Sequence, residues 1–178
     1  MTGRLWAPWR MQYVASARQK PEGCLFCQKS REPVSADSMV LFRGEYAFAM
    51  LNAFPYTNGH LMVAPVRHTA DMNALTDAEL LEIARFVRHC VNLLREAYHP
   101  DGFNIGVNVG RAAGAGIEDH IHWHIVPRWN GDTNFMPVLA DVRVIPDSLE
   151  NTYAKLCDAL RRLDGDGTDT GPVGRGEP

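Results

Sequence analysis

The chain has 178 residues, 46% of them hydrophobic, which predicts one globular domain with its own core. Its formal net charge of -3 offers no basic surface to nucleic acid or to an anionic membrane. Its apolar runs fall far short of the ~20 residues that span a bilayer, and the N-terminus lacks a signal-peptide core, so we expect a cytoplasmic protein.

Two features precede the first predicted strand. The aromatic, proline-interrupted residues 5–14 are expected to pack as an irregular arm. Cys24 and Cys27 then follow at the spacing that lets two thiolates hold one tetrahedral ion. A redox dithiol is the alternative, although the polar residues around this pair do not suggest the strand-to-helix context of such motifs.

Short apolar runs separated by turn residues predict strands at residues 39–43, 46–51 and 60–66, in an antiparallel meander. A long helix follows. Thr76 is its predicted N-cap, and Glu79 completes a capping box.

The long helix is predicted to end at Tyr98, before a Pro-Asp-Gly turn. Its apolar residues repeat at helical spacing. This pattern places Cys90 in the core and His89 on the solvent side.

A fourth strand is predicted at residues 103–109, followed by a glycine-rich loop at residues 110–116. Such a loop lets backbone amides approach a phosphate closely. Arg111 lies in this loop and could reach a polyphosphate, or could simply be exposed to solvent.

The sequence His-Ile-His-Trp-His-Ile-Val at residues 120–126 predicts a strand that ends at Pro127. Alternate side chains of a strand share a face, so the three histidines would lie on one side. The side chains of Ile121, Trp123 and Ile125 would then pack on the core from the other.

The C-terminal part is predicted to contain a moderately amphipathic helix at residues 149–163. Residues 164–178 are poor in apolar side chains and are expected to be disordered. The domain is therefore predicted to span residues 1–163.

The three alternating histidines allow two kinds of chemistry. They could bind a metal, as alternating histidines do in many sites. Alternatively, the middle imidazole could attack a phosphate ester or anhydride, with its neighbours orienting it and donating to the leaving oxygen.

The motif at residues 120–126 resembles the signature of the histidine triad (HIT) family, His-φ-His-φ-His-φ-φ, where φ is hydrophobic. The likeness extends over residues 24–128. It implies an α+β fold with an antiparallel sheet of about five strands, one long helix and a C-terminal helix, usually dimeric. It also implies transfer or hydrolysis of nucleotidyl groups through a covalent nucleotidyl-histidine.

The resemblance also implies roles for individual residues. His122 would be the nucleophile, and His124 would contact the phosphate and the leaving group. Asn108 would contact the phosphates and Asn52 the ribose. In the substrate-binding loop, the corresponding positions are Gly114 and Gly116.

Family members with an early Cys-x-x-C pair typically bind a structural zinc. By resemblance its ligands would be Cys24, Cys27, His68 and His120. His120 would then be both a residue of the triad and a ligand of the metal. His60 also matches a family position, but as a histidine opening a buried strand it is interpreted as a hydrogen-bonded core residue.

Trp123 and Ile117 depart from the residues usual in the family. The N-terminal arm and residues 131–137 resemble bacterial diadenosine tetraphosphate-cleaving members, particularly the phosphorylase type. Phosphorolysis and hydrolysis both remain open. The alternative functions are phosphoramidate hydrolysis, zinc-dependent hydrolysis and non-catalytic nucleotide binding.

Overall fold

The computed structural model describes residues 23–132 and 147–165. They form an α+β fold around one antiparallel five-stranded sheet, in the order β1-β2-β3-β5-β4. The strands are β1 (Val40–Arg43), β2 (Ala47–Leu51), β3 (Leu61–Pro65), β4 (Gly102–Val107) and β5 (Trp123–Arg128). The predicted fold class and the sheet of five strands are confirmed, whereas the predicted N-terminal arm lies outside the described residues.

The helices of the described part are α1 (Leu25–Lys29), α2 (Asp77–Tyr98) and α3 (Leu149–Gly165). Helix α2 begins with the predicted capping box, in which Thr76 and Glu79 bond each other's backbone amides, and ends at Tyr98 as expected. Helix α3 runs two residues past its predicted end, and the rest of the predicted disordered tail lies outside the described residues. None of the described helices is long and apolar enough to cross a membrane.

The sheet has two faces with different roles. Helices α2 and α3 cover one face and form the main core, and the Tyr153 hydroxyl donates a 2.7 Å hydrogen bond to the carbonyl of Val40 in β1. A smaller apolar cluster lies on the other face and includes Phe26 of α1, Phe48, Met50 and Met62. The histidines of the triad emerge beside this second cluster.

The strand that carries the triad begins later than predicted. β5 starts at Trp123, so His120 and His122 precede it and only His124 lies within it. It also continues through Pro127. Within residues 23–132 and 147–165, β5 pairs with β4 alone beyond Ile125, and proline is tolerated where one side of a strand is unpaired.

The two predicted faces of the triad segment are nevertheless observed. Ile121 and Ile125 belong to the main core, and Trp123 packs against that core. The histidine rings meet Phe26 on the opposite face, with centroids 5.2 Å away for His120 and 4.5 Å away for His122.

The predicted solvent position of His89 is wrong. Its side chain is 5% exposed and packs edge-on against Phe42, with ring centroids 4.9 Å apart. Helix α2 packs against both the sheet and α3, so its buried arc is wider than the single stripe that periodicity predicts. The predicted burial of Cys90 is confirmed.

Candidate active site and metal centre

Two cysteines and two histidines meet where α1 approaches the triad. One donor atom from each of Cys24, Cys27, His68 and His120 lies within 4.8 Å of all the others. The Nδ1 atom of His120 is 3.3 Å from Cys24 Sγ and 3.7 Å from Cys27 Sγ, and Nδ1 of His68 is 3.3 Å from Cys27 Sγ. These separations fit the edges of a tetrahedral zinc site, which bond lengths place at roughly 3.3–3.8 Å.

Hydrogen bonds around the cluster orient its histidine ligands. Nε2 of His120 donates to the carbonyl of Pro65 at 2.8 Å, which leaves Nδ1 to face the thiols. Arg67 precedes His68 and forms a bidentate ion pair with Glu79 at 2.8 and 2.9 Å, and this hydrogen bonding lowers the pKa of Glu79 to about 2. The backbone on either side of the cluster is therefore fixed.

The thiol of Cys27 is poorly placed to ionise without a cation. Burial raises its pKa, and the hydrogen bond and charge of Cys24 raise it further. A divalent ion would reverse this effect, because coordination stabilises the thiolate. The donor set therefore fits a Cys2His2 metal site.

The middle histidine of the triad is held in one tautomer. Its Nδ1 lies 2.8 Å from the carbonyl oxygen of His120, and a carbonyl can only accept, so Nδ1 carries the proton. Its Nε2 is therefore the unprotonated nitrogen. Burial lowers the pKa of His122, which favours the neutral, nucleophilic form.

His124 forms a hydrogen-bonded pair with His60. The distance from His60 Nε2 to His124 Nδ1 is 3.0 Å. Nδ1 of His60 faces two donors, the amide of Asn52 at 3.2 Å and the backbone N–H of Tyr56 at 3.1 Å, so it accepts. His60 must then donate through Nε2 to His124, which leaves the proton of His124 on its own Nε2.

The His60–His124 pair is neutral at physiological pH. Burial, followed by the charges of His124 and His122, lowers the pKa of His60 to about 3. Burial and the charge of His122 lower the pKa of His124 to about 4. The ring of Tyr56 covers this pair, with centroids 4.6 Å from His60 and 5.8 Å from His124.

The predicted ligand-binding residues surround these histidines. Asn52 donates to His60 and accepts a 2.9 Å bond from the amide of Phe54, at the start of the loop between β2 and β3. β4 ends two residues earlier than predicted, which leaves Asn108 in the loop. Because Val107 pairs with Trp123, Asn108 and His122 leave the sheet at the same end.

The glycine-rich loop is open on one side. Gly114 has a φ of +87°, in the left-handed region, and a Cβ added to Gly114 or Gly116 would meet nothing within 4 Å. The loop backbone is thus accessible to a ligand, as its composition suggested.

The structure brings the predicted cysteines and histidines together, but it also adds residues that sequence reasoning missed. His60 is confirmed as a hydrogen-bonded core residue, and its hydrogen bond to His124 gives it a further role, which is to fix the tautomer of that residue. Tyr56 and Phe26 were not identified at all, although their rings contact the histidines. Of these three residues, only His60 could have been identified from the sequence, because it matches a family position.

An antiparallel five-stranded sheet that presents three alternating histidines is the arrangement of the histidine triad class. Residues 34–131 match the HIT domain family, and the chain belongs to this family.

The chain is similar in sequence to two proteins whose names state an activity. The chain is 37% identical over 165 residues to an AP-4-A phosphorylase of Mycobacterium tuberculosis, across 89% of this chain and 85% of the relative. It is 30% identical over 107 residues to an adenosine 5′-monophosphoramidase of Schizosaccharomyces pombe, across 60% of this chain and 75% of the relative.

Among solved structures, a zinc-bound histidine triad family protein from Mycobacterium smegmatis superposes with a TM-score of 0.65. It is 31% identical, and the match covers 81% of this chain and 97% of that one.

Proposed function

We propose that this chain cleaves dinucleoside polyphosphates such as diadenosine tetraphosphate through a covalent nucleotidyl-His122 intermediate. The observation that carries the proposal is the 2.8 Å bond from His122 Nδ1 to the His120 carbonyl, which leaves Nε2 free beside His124. The relationship to an AP-4-A phosphorylase supports the substrate class.

In the first step, Nε2 of His122 attacks the phosphorus next to one nucleoside. An N–P bond forms, and the P–O bond to the rest of the polyphosphate breaks, so the leaving oxygen takes the bonding electrons. Nε2–H of His124 donates a hydrogen bond to that oxygen and stabilises its developing negative charge. The His120 carbonyl stabilises the positive charge that develops on the His122 ring.

In the second step, inorganic phosphate or water attacks the same phosphorus. The N–P bond breaks and its electrons return to His122, while Nε2–H of His124 again donates a hydrogen bond to the phosphoryl group. The proton lost by an incoming water passes to the released nucleotide phosphate or to solvent. With diadenosine tetraphosphate, phosphate yields ADP plus ATP, whereas water yields AMP plus ATP. Product analysis with and without phosphate distinguishes the two reactions.

Substrate contacts are proposed for four residues around this centre. Asn52 is assigned to the ribose, and Asn108, Gly114 and Gly116 are assigned to the phosphates. The open space at Gly114 and Gly116 supports close approach of a phosphate to their amides. We expect Asn52→Ala to raise KM for diadenosine tetraphosphate, and an unchanged KM would contradict the assignment.

The covalent step is testable by intact-protein mass spectrometry. A His124→Ala variant mixed with diadenosine tetraphosphate should accumulate an adenylyl adduct, because the nucleophile is present while breakdown of the adduct lacks the hydrogen bond from His124. A His122→Ala variant should form none. An adduct that persists in His122→Ala would refute the assigned nucleophile.

Phosphoramidate hydrolysis is the second candidate function, favoured by the relationship to an adenosine 5′-monophosphoramidase. The same two histidines would serve it, because only the leaving group changes from a phosphate oxygen to an amine. Comparing kcat/KM for diadenosine tetraphosphate and adenosine 5′-phosphoramidate ranks the two activities. A protein that binds AMP but cleaves neither would instead be a nucleotide-binding module.

We also propose that the metal is a structural zinc ion, held by Cys24, Cys27, His68 and His120. The zinc-bound relative and the mixed thiolate and imidazole donors support zinc. Zinc there would tie α1 to the triad segment. Elemental analysis should find about one zinc per chain, and protein purified without chelator that lacks zinc would refute this assignment.

The state of the cysteines bears on the cellular compartment. Cys24, Cys27, Cys90 and Cys157 form no disulfides. Reduced thiols persist in a reducing compartment, so a cytoplasmic location is proposed. Cell fractionation with an antibody to the protein tests it.

A homodimer is proposed through β4. Among the described residues, this strand lies at the end of the sheet and pairs only with β5, and Ile105 is 48% exposed on it. An exposed apolar edge strand is a template for pairing with a second chain. Light scattering should give a dimer mass for the wild type and a monomer mass for Ile105→Lys, whereas a monomeric wild type would exclude the dimer.

A further inference from the structure

One basic residue lies in the segment that links β4 to the triad. Residues 108–119 contain Arg111 together with the acidic residues Glu118 and Asp119. Nε of Arg111 donates to Glu118 Oε1 at 2.6 Å, which closes an ion pair across the glycine-rich loop. The side chains are 87% and 37% exposed, and such exposed pairs contribute little to stability, so a stronger anion can displace the carboxylate.

The loop leaves room for such an anion. Gly110 has a φ of +80°, and a Cβ added there would meet nothing within 4 Å, as at Gly114 and Gly116. A polyphosphate that enters beside His122 can therefore extend along the loop without steric conflict. Arg111 lies in the same loop, and its side chain is exposed enough to turn towards the distal phosphates.

The histidines supply little positive charge for that polyphosphate. His60 and His124 are neutral at physiological pH because burial lowers their pKa values to about 3 and about 4. Two other arginines of the described part, Arg67 and Arg128, are held in ion pairs by Glu79 and Asp132. A leaving polyphosphate carries several negative charges, which a cation must stabilise as the P–O bond breaks.

We propose that Arg111 determines specificity for polyphosphate leaving groups, and that Glu118 occupies its guanidinium until the substrate displaces it. The inference rests on the proposed function and deepens it. A leaving group with several negative charges gains from Arg111, whereas an ammonia leaving group does not.

The test compares two substrates with the same nucleotidyl group. We expect Arg111→Gln to lower kcat/KM for diadenosine tetraphosphate about 10- to 100-fold, the range of a hydrogen bond to a charged group. The kcat/KM for adenosine 5′-phosphoramidate should change less than about twofold. ATP should also become a weaker product inhibitor, while inhibition by AMP should not change.

Two further variants complete the design. Glu118→Gln removes the competing carboxylate and should raise kcat/KM for the tetraphosphate. Arg161→Gln breaks a comparably exposed ion pair with Asp158 on α3 and should change neither substrate. Equal melting temperatures for all variants would show that folding is unaffected.

The outcomes separate the two proposals. If Arg111→Gln affects both substrates equally, or affects neither, Arg111 does not determine specificity. If the wild type cleaves only the phosphoramidate, the inference is wrong while nucleotidyl transfer stands. If the wild type cleaves neither substrate, the proposed function fails and the inference fails with it.

Discussion

The two ring nitrogens of His60 make different hydrogen bonds, and two amide substitutions can separate the effects of those bonds. Nε2 donates to His124, whereas Nδ1 accepts from Asn52 and from the backbone of Tyr56. A glutamine amide nitrogen reaches roughly the position of Nε2, and an asparagine carbonyl oxygen reaches roughly that of Nδ1. His60→Gln therefore keeps the donor to His124, and His60→Asn keeps the acceptor.

The structure gives an expected size for each effect. His60 is fully buried, so His60→Asn leaves Nδ1 of His124 without its partner, at a cost of about 1–3 kcal/mol. Nothing then holds the proton of His124 on Nε2, and kcat for diadenosine tetraphosphate should fall about 5- to 150-fold. His60→Gln should stay within about threefold of the wild type in kcat, but lose about 1–3 kcal/mol of stability because the hydrogen bond from the Tyr56 amide to Nδ1 is lost.

Steady-state cleavage followed by chromatography of the nucleotides measures kcat, and urea unfolding measures stability. Zinc content, determined in parallel, checks that neither variant disturbs the cysteine cluster. The reasoning is refuted if His60→Asn cleaves as fast as the wild type, or if His60→Gln loses as much activity as His60→Asn. Either result would mean that the tautomer of His124 does not depend on His60.

Three further predictions concern stability. Removing the metal with a chelator should lower the melting temperature of the wild type but not that of Cys27→Ser; equal shifts in both proteins would contradict a cysteine-bound metal. His89→Leu should raise the free energy of unfolding by about 1–2 kcal/mol in urea titrations, because both ring nitrogens of His89 are buried without a hydrogen-bond partner among the described residues. The pKa values of His60 and His124, about 3 and about 4, lie below the ~6.5 of an unfolded histidine, so the unfolded chain binds more protons below pH ~6.5. The free energy of unfolding should therefore fall as the pH is lowered from about 6.5 towards 4, more steeply in the wild type than in His60→Gln, and equal slopes would contradict these assignments.

Features that depend only on residues close together in the sequence could be predicted. The capping box of Thr76 and Glu79 needs only two residues at a fixed spacing, and it is observed. The two faces of the triad segment follow from alternation alone, even though His120 and His122 precede β5. An extended backbone alternates its side chains whether or not it pairs with a neighbour.

Features that depend on two distant segments could not be predicted in the same way. The bond between His60 and His124 joins residues 64 positions apart, and it depends on the register that places Met62 opposite His124. His89 packs against Phe42 of β1, and the charge of Asp164 on α3 acts on its ring, so its surroundings come from segments distant in the sequence. In both cases the missing information was the identity of the neighbour in space.

The carbonyl and ring of His120 connect the metal cluster to the nucleophile. The ring donates through Nε2 to Pro65 and turns Nδ1 towards the cysteines, while the carbonyl accepts from Nδ1 of His122. A metal bound to the His120 ring would thus fix the backbone group that sets the tautomer of His122, without touching substrate. Loss of metal should then lower kcat by loosening His122, and a His120→Asn variant that still binds nucleotide should show the same defect. Zinc-dependent hydrolysis predicts instead that a chelated protein that remains folded has no turnover at all, whereas the positioning role predicts reduced but residual turnover. The residual kcat of a chelated sample that is shown to be folded therefore decides between the two.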